Sequence, residues 1–298
     1  MRAYILDIET CPLAEVELIK LMPPEVANPV MPESLRNPPP VDLSKCPVYG
    51  GSEEKQNAWK ATQTTKHAQA AEDARAEWEE KAIGAKQRFI EDAALSPLTA
   101  TVKLIGIKDH ESGIAYVAVA GATAQEKKCL DAGTYPCKIA FKFWETEADM
   151  LRAFSSDINN GSVVDGNQDQ SSGFKLVTFL GNGFDFPFIF KRCWMLGTLA
   201  PWMLRKGRYW NDSISADLHE LWTFFDRSQK TGGLDNVAKI LGTKRKTGTG
   251  EQFYKLWQSD CVAAVNYLCA DLEVTEEAAT KMGVIYAPKP PSEKKGKA

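Results

Sequence analysis

The spacing of apolar and polar residues along the chain predicts strands and helices in alternation. Residues Ala3 to Glu9 are rich in Tyr, Ile and Leu and predict a first strand, ended by Cys11-Pro12. Apolar segments predict later strands at 102–108, 114–120, 138–144 and 175–180, of which the first two form a hairpin. Apolar residues at helical spacing predict helices at 146–158, 186–196, 234–241 and 259–282. This order favours an α/β fold with a mixed β-sheet flanked by helices.

The segment between the first strand and the hairpin has a different composition. Residues 23–47 carry eight of the sixteen prolines, which predicts an extended connector without helix. Residues 53–92 lack proline and predict a long helix with one thin apolar stripe: Ala71, Ala74, Trp78, Ala82, Ala85 and Phe89. This helix either packs along the domain surface or forms an arm that binds a partner. We expect one domain over 1–285 with a Pro-rich and helical insertion at about 20–95, and a disordered basic tail over 286–298.

Composition and charge narrow the class of protein. The 298 residues are 44% hydrophobic and 25% charged, as is usual for soluble globular proteins. No apolar run reaches the ~18–20 residues that span a bilayer, and Asp7 stands too early for a signal peptide. We therefore expect no membrane association and a cytoplasmic location, in the host cytoplasm if the protein is viral. Seven cysteines without a CxxC pair predict free thiols rather than disulfides or structural zinc. The net charge of −3 requires that any nucleic acid be bound by local basic patches or by cations held on acidic residues.

Three short acidic motifs carry the candidate chemistry. Asp7 and Glu9 are two apart on the first strand, so both carboxylates point to one face, where their repulsion favours a bound cation. Asp185 follows a Gly-Asn-Gly turn at the start of a helix. Tyr267 and Asp271 are four apart and share one face of the last helix. Taken singly, each motif also fits a structural role, as a solvated strand face, a helix N-cap or a packed core tyrosine.

Taken together and in this order, the motifs resemble those of the DEDD (DnaQ-like) superfamily of 3′–5′ exonucleases, which share the ribonuclease H-like fold. Tyr267, four residues before Asp271, is typical of the tyrosine (DEDDy) subgroup. Three segments look most like predicted exonucleases related to the proofreading domain of B-family DNA polymerases: 181–187, 233–242 and 267–275. The resemblance covers roughly 1–12 and 97–282 and leaves out the insertion. The spacing from Asn182 to Asp185 is shorter than is usual for that family.

Four carboxylates from three separate elements fit two hard divalent cations, Mg²⁺ or Mn²⁺. The expected metal ligands are Asp7, Glu9, Asp185 and Asp271, and the resemblance implies that Tyr267 orients the attacking water. The implied reaction is hydrolysis of the terminal phosphodiester at a single-stranded DNA 3′ end, with release of nucleoside 5′-monophosphates. The implied setting is DNA replication or repair, with any proofreading in trans and with a replication or repair protein as the partner of the 53–92 helix.

Further residues are candidates for contact with nucleic acid, because single strands are bound by stacking and by positive charge. They are Thr10, Asn182, Phe184, Phe186, Lys244, Arg245 and Lys246, together with the aromatic and basic residues of 202–210. Core packing and solvated loops are the alternative explanations for these side chains. Three alternative functions fit the same motifs: an exoribonuclease, a structure-specific nuclease on the same fold, or a catalytically silent nucleic-acid-binding module.

Overall fold

The computed structural model describes residues 2–46, 52–163, 173–205, 214–226, 233–246, 248, 250 and 253–286. The chain divides into two compact units, one of Met1–Leu13 with Ala93–Ala298 and one of Ala14–Asp92. The second unit coincides broadly with the expected insertion at about 20–95, while the single-domain organisation stays a prediction. From residue 287 onward, the expected basic tail lies outside the described residues. Among the described helices, none combines the length and the apolar character that crossing a bilayer requires.

The first unit is built on a mixed β-sheet. Its described strands are β1 Arg2–Pro12, β2 Ala100–Asp109, β3 Ala115–Ala120, β4 Ile139–Trp144, β5 Phe174–Thr178 and β6 Ser215–Asp217. Their order in the sheet is β4-β3-β2-β1-β5-β6. Strand β2 runs antiparallel to both β1 and β3, and the other neighbouring pairs are parallel. The predicted hairpin and the predicted mixed sheet are therefore confirmed.

Helices of the first unit cover both faces of this sheet. In chain order the described helices are α1 Glu15–Leu21, α2 Pro24–Ala27, α3 Glu33–Arg36, α4 Glu53–Asp92, α5 Ala124–Ala132, α6 Glu147–Asn159, α7 Asp185–Met195, α8 Leu218–Trp222, α9 Leu234–Leu241, α10 Phe253–Ser259 and α11 Cys261–Lys281. The first four belong to the second unit. The predicted helix from about 259 to 282 is confirmed as α11, which is separated from α10 at Asp260. The carboxylate of Asp260 accepts the backbone N–H groups of Val262 and Ala263 and so begins a new helix.

Strand β1 directs its side chains into two different cores. Leu6 and Ile8 pack with α6 and α7 on one face. Ile5 packs with α10 and α11 on the other face. Since side chains alternate along a strand, Asp7 and Glu9 point to the same face as Ile5, towards α11.

Strand β1 is also longer than predicted. It continues to Pro12, with a β-bulge between Glu9 and Thr10, where the pairing with β2 skips one residue. A proline is tolerated there because β5 pairs only with Arg2 to Ile5, so the far end of β1 has β2 as its only described neighbour. Bulges of this kind re-aim side chains, and this one adjoins the acidic motif.

The second unit contains the predicted long helix, α4, of 40 residues, none of which is fully buried. The six residues of its predicted apolar stripe are all half-buried. The expectation that 23–47 contains no helix is wrong, because α2 and α3 each form one short turn of helix that packs on α4. Pro23 and Pro32 occupy their N-cap positions, where a missing N–H costs nothing.

Candidate active site

Strand β1 and helix α11 bring three carboxylates together. Asp7, Glu9 and Asp271 each offer an oxygen that lies within 4.8 Å of the others. Glu9 and Asp271 are buried and Asp7 is partly exposed. Two of the three predicted motifs, distant in sequence, therefore meet at one point.

A glycine allows α11 to approach the sheet closely at this point. Gly106 of β2 pairs with Asp7 across the sheet. A Cβ atom on Gly106 would lie 2.9 Å from Cδ2 of Leu268 and 3.0 Å from its Cγ and Cδ1. Leu268 is buried one turn before Asp271, so this close packing sets the distance between Asp271 and β1.

Asp185 stands at the end of a strained loop. Strand β5 ends at Thr178, and Leu180 then adopts a φ of +66°, in the left-handed region that non-glycine residues rarely occupy. A Cβ atom on Gly181 would lie 2.3 Å from Oγ1 of Thr178. Asp185 follows as the first residue of α7 and is buried, with Phe184 in the N-cap position and without a capping hydrogen bond from a side chain. Its carboxylate is therefore not used to cap the helix.

Asp217, at the end of β6, holds this loop in place by accepting two backbone hydrogen bonds. Its Oδ1 accepts the N–H of Leu180 and its Oδ2 accepts the N–H of Asn182, both at 2.9 Å. The side-chain amide of Asn182 donates to Glu220 at 2.8 Å. Asp217 and Glu220 were not among the residues that the motifs singled out. Nothing in their local sequence indicates that β6 runs beside the loop before Asp185.

The carboxylates strongly perturb one another. Burial, followed by the charge of Asp271, raises the pKa of Asp7 to about 7. Burial and the charge of Asp7 raise the pKa of Glu9, and the same two causes raise the pKa of Asp185. Burial also raises the pKa of Asp271, although Lys246 opposes the shift. Asp185 lies outside the group of three oxygens, yet its coupling to Asp7 brings it into the same electrostatic site. Like charges held this way are stabilised by a bound cation.

Tyr267 lies beside Asp271, and its hydroxyl interacts with the Asp271 carboxylate without the geometry of a good hydrogen bond. Among the described residues, neither the buried Oη of Tyr267 nor the buried Oδ1 of Asp271 has a partner with hydrogen-bond geometry. Burial, then the charge of Asp271, raises the pKa of Tyr267, so the hydroxyl stays protonated at neutral pH. Buried polar atoms without partners are rare in proteins. Their presence beside three carboxylates fits a site that takes up a cation and its bound water.

The predicted basic contacts lie on the loop that follows α9. Lys246 places its Nζ 2.6 Å from Oδ2 of Asp271 and 5.1 Å from the ring centroid of Tyr267. Lys244 pairs with Glu273 and Glu277 of α11. Arg245 forms a two-point ion pair with Asp235 of α9. The loop thus reaches the site through Lys246.

The other predicted contacts occupy mixed environments. The Thr10 hydroxyl donates to the carbonyl of Ala94 at 2.6 Å. Phe186 is buried in the core, whereas Phe184 is half-buried against Phe188. Trp202 is half exposed and packs edge-on against Phe190. Residues 206–210 of the aromatic and basic stretch lie outside the described residues.

In this α/β fold, a carboxylate cluster lies between β1 and α11 with the buried Tyr267 beside it, which is a nuclease-like class of site. Residues 151–275 match the model of a family described as "Predicted 3'-5' exonuclease related to the exonuclease domain of PolB". The matched segment includes Asp185, Tyr267 and Asp271. This match supports the relationship to the DnaQ-like exonucleases that the motifs predicted, and with the mixed sheet it agrees with the expected ribonuclease H-like fold class.

A solved structure also resembles the chain, the family B DNA polymerase from the hyperthermophilic archaeon Pyrobaculum calidifontis. The identity is 18% and the TM-score is 0.43, over 64% of this chain and 23% of the polymerase. The chain therefore corresponds to less than a quarter of that protein. No curated protein matches the sequence.

Proposed function

We propose that this protein is a two-metal-dependent 3′–5′ exonuclease that hydrolyses the terminal phosphodiester of single-stranded DNA and releases nucleoside 5′-monophosphates. The observation that carries the proposal is the meeting of Asp7, Glu9 and Asp271 within 4.8 Å, beside the buried hydroxyl of Tyr267. The match of residues 151–275 to a family of predicted exonucleases supports the reaction class.

The donor set suits hard cations. Carboxylate oxygens without nitrogen or sulfur ligands favour Mg²⁺ or Mn²⁺ over zinc. Asp7 would help to hold the cations, since its charge is coupled to that of Asp271 and to that of Asp185. Glu9 and Asp271 would hold one cation and Asp185 the other. When bound, the cations supply a water of lowered pKa and stabilise the leaving 3′ oxygen.

Tyr267 contributes orientation rather than proton transfer. Its raised pKa keeps the hydroxyl protonated, and burial on α11 restricts its position. A fixed hydroxyl can hold a water molecule for attack in line with the departing 3′ oxygen. Phe184, the N-cap residue of α7, is then a candidate to stack on a terminal base. Asn182 and Lys246 are the polar candidates for contact with the phosphate.

The test uses 5′-labelled single-stranded DNA, duplex DNA and RNA of one sequence, each with Mg²⁺ and with Mn²⁺. A ladder that shortens from the 3′ end of the single-stranded DNA supports the proposal. Faster shortening of RNA would favour the exoribonuclease alternative, and internal cuts would favour a structure-specific nuclease. Binding without cleavage in either metal would favour the silent binding module.

Asp7→Asn separates catalysis from folding in the same assay. We expect this variant to lose cleavage while keeping the fold, because the amide keeps the shape of the side chain and removes one metal ligand. Asp131→Asn is the matched control, since Asp131 is exposed on α5 away from the three-carboxylate group. Wild-type cleavage by Asp7→Asn would overturn the assignment of the site.

Helix α4 is the candidate surface for a replication or repair partner. Its described side chains lack any fully buried member, so most of its 40 residues remain accessible to a second protein. Removal of α4 from the chain would be expected to leave cleavage of free DNA intact and to weaken only association with such a partner. Loss of cleavage would instead indicate a role in the reaction.

A further inference from the structure

Lys246 holds its ammonium group inside the carboxylate site. Its Nζ lies 2.6 Å from Oδ2 of Asp271, and its side chain is 24% exposed, compared with 62% for Lys244 two residues earlier. Among the ion pairs of the described residues, Lys246 supplies the only cation paired with the three-carboxylate group. The ion pair thereby fixes the side chain of Lys246 beside the buried Asp271.

The loop around Lys246 is fastened on both sides. Lys244 pairs with Glu273 and Glu277 on α11 at 3.1 and 3.2 Å. Arg245 pairs with Asp235 on α9. On the far side, Gly248 approaches Tyr267 so closely that a Cβ atom would lie 3.2 Å from Cε2 of the ring. The backbone at Gly248 therefore lies against Tyr267, and the side chain of Lys246 points towards Asp271.

Lys246 and a divalent cation would compete for the same oxygen. Asp271 has two carboxylate oxygens: Oδ2 pairs with Lys246, and Oδ1 has no partner of good hydrogen-bond geometry among the described residues. A cation bound by Asp7, Glu9 and Asp271 would bring two positive charges close to the ammonium group, and like charges in a partly buried site repel strongly. Lysine suits such an exchange, because it is a compact charge on a stem with four rotatable bonds.

We propose that Lys246 is a displaceable counter-ion of the active site. It neutralises Asp271 when no divalent cation is bound, and it leaves Asp271 when a divalent cation binds. The displaced ammonium group stays tethered by Lys244 and Arg245 beside Tyr267, where it meets the phosphate of the bound 3′ end. Binding of the metal and binding of the substrate phosphate are thereby coupled through the side chain of Lys246. This inference rests on the metal site of the proposed function.

Amine labelling of the wild-type protein tests the displacement directly. The intact protein is treated with a limiting acetylating reagent, with and without Ca²⁺ or Mn²⁺, and the modification of each lysine is measured by mass spectrometry. We expect Lys246 to react several-fold more slowly than Lys244 without metal, and its rate to rise at saturating metal. Lys244 serves as the internal control, because its partners are not in the three-carboxylate group. Protection of Lys246 that is unchanged at saturating metal would overturn the proposal.

Metal affinity supplies a second readout that does not depend on cleavage. Calorimetry with Mn²⁺ compares Lys246→Met, which keeps the length of the side chain and removes its charge, with Lys244→Met as the matched control. We expect Lys246→Met to bind Mn²⁺ more tightly by roughly five- to hundredfold, the usual range for coupled binding, and Lys244→Met to differ little from wild type. Equal or weaker binding by Lys246→Met would contradict the competition.

The two experiments also separate this inference from the function on which it rests. If the wild-type protein binds neither Mg²⁺ nor Mn²⁺, the metal site itself is wrong and the counter-ion falls with it. If metal binds and DNA is shortened from its 3′ end, but Lys246 stays protected, only the counter-ion is wrong. The labelling experiment uses the wild-type sequence, so it remains decisive if Lys246→Met does not fold.

Discussion

Gly106→Ala tests whether the close contact between β2 and α11 sets the geometry of the site. The new methyl group would lie 2.9–3.0 Å from three atoms of Leu268, whereas ordinary contact begins at 3.4 Å. Either Leu268 leaves its position or α11 moves away from the sheet by about 0.5 Å. Because Asp271 follows Leu268 by one turn, the movement would separate Asp271 from Asp7 and Glu9.

The magnitude follows from this overlap. Overpacking of a well-filled core costs about 1–3 kcal/mol in the free energy of unfolding. A displacement of ~1 Å at a catalytic group costs about a hundredfold in rate, so a shift of half that size should lower kcat by roughly tenfold. We therefore expect a modest loss of stability in urea unfolding, and a separate loss of metal affinity and of cleavage.

Two controls make the prediction decisive. Gly84→Ala, on exposed α4, meets only Arg88 at 3.8 Å and should stabilise the helix by about 0.5–1 kcal/mol without a change in cleavage. Adding Leu268→Ala to Gly106→Ala removes the colliding atoms, so the double variant should lose less stability than the sum of the single variants. Full activity and unchanged metal affinity in Gly106→Ala would refute the argument that this contact positions Asp271.

Three further predictions follow from the electrostatics and the unpaired groups of the site. The folded pKa of Asp7 is about 7 against an ordinary value of 3.8, so the metal-free fold binds more protons than the unfolded chain and should lose stability as pH rises from about 4 to about 7. Thermal unfolding in a chelator checks this, and the loss should be smaller in Asp7→Asn; a flat profile in the wild-type protein would contradict the raised pKa. Tyr267→Phe removes a buried hydroxyl that has no partner of good hydrogen-bond geometry among the described residues, so stability should change little while cleavage falls by about a hundredfold. Unchanged cleavage would leave Tyr267 as a packing residue. Asp217→Asn removes an acceptor from the loop before Asp185, at a cost of about 1–3 kcal/mol, and should lower kcat more than it raises KM. The control is Glu147→Gln, which weakens the buried ion pair with Arg192 and should lower stability with no change in kcat. If Glu147→Gln and Asp217→Asn lose kcat equally, Asp217 has no positioning role.

Periodicity predicted the longer elements well, because the apolar pattern of a strand or helix depends only on the residues of that element. Helix α9 and helix α4 begin and end at the predicted residues, and Gly242 ends α9 with a φ of +66°. The short helices α2 and α3 were missed, since four residues are too few to display a period. Helix α11 was predicted close to its observed start, where the side chain of Asp260 caps the helix.

The candidate catalytic residues could be chosen from sequence because their chemistry is carried by residue type and short spacing. Asp7 and Glu9 share a face by the alternation of a strand, and Tyr267 and Asp271 share a face by the turn of a helix. The resemblance of this order of motifs to that of a known superfamily then indicated the reaction. Their assembly across hundreds of residues required the fold, which places β1 against α11.

The sequence by itself therefore determined the α/β class, the longer elements and the candidate residues for the chemistry. Only the tertiary structure decided that Lys246 reaches Asp271, that Asp217 fastens the loop before Asp185, and that Gly106 admits Leu268. Each of these is a contact between segments far apart in the chain. Local patterns record which face of an element is apolar, but they do not record which distant side chain packs against it. That pairing is set by the packing of whole elements, and at this site it sets the distances between the charges.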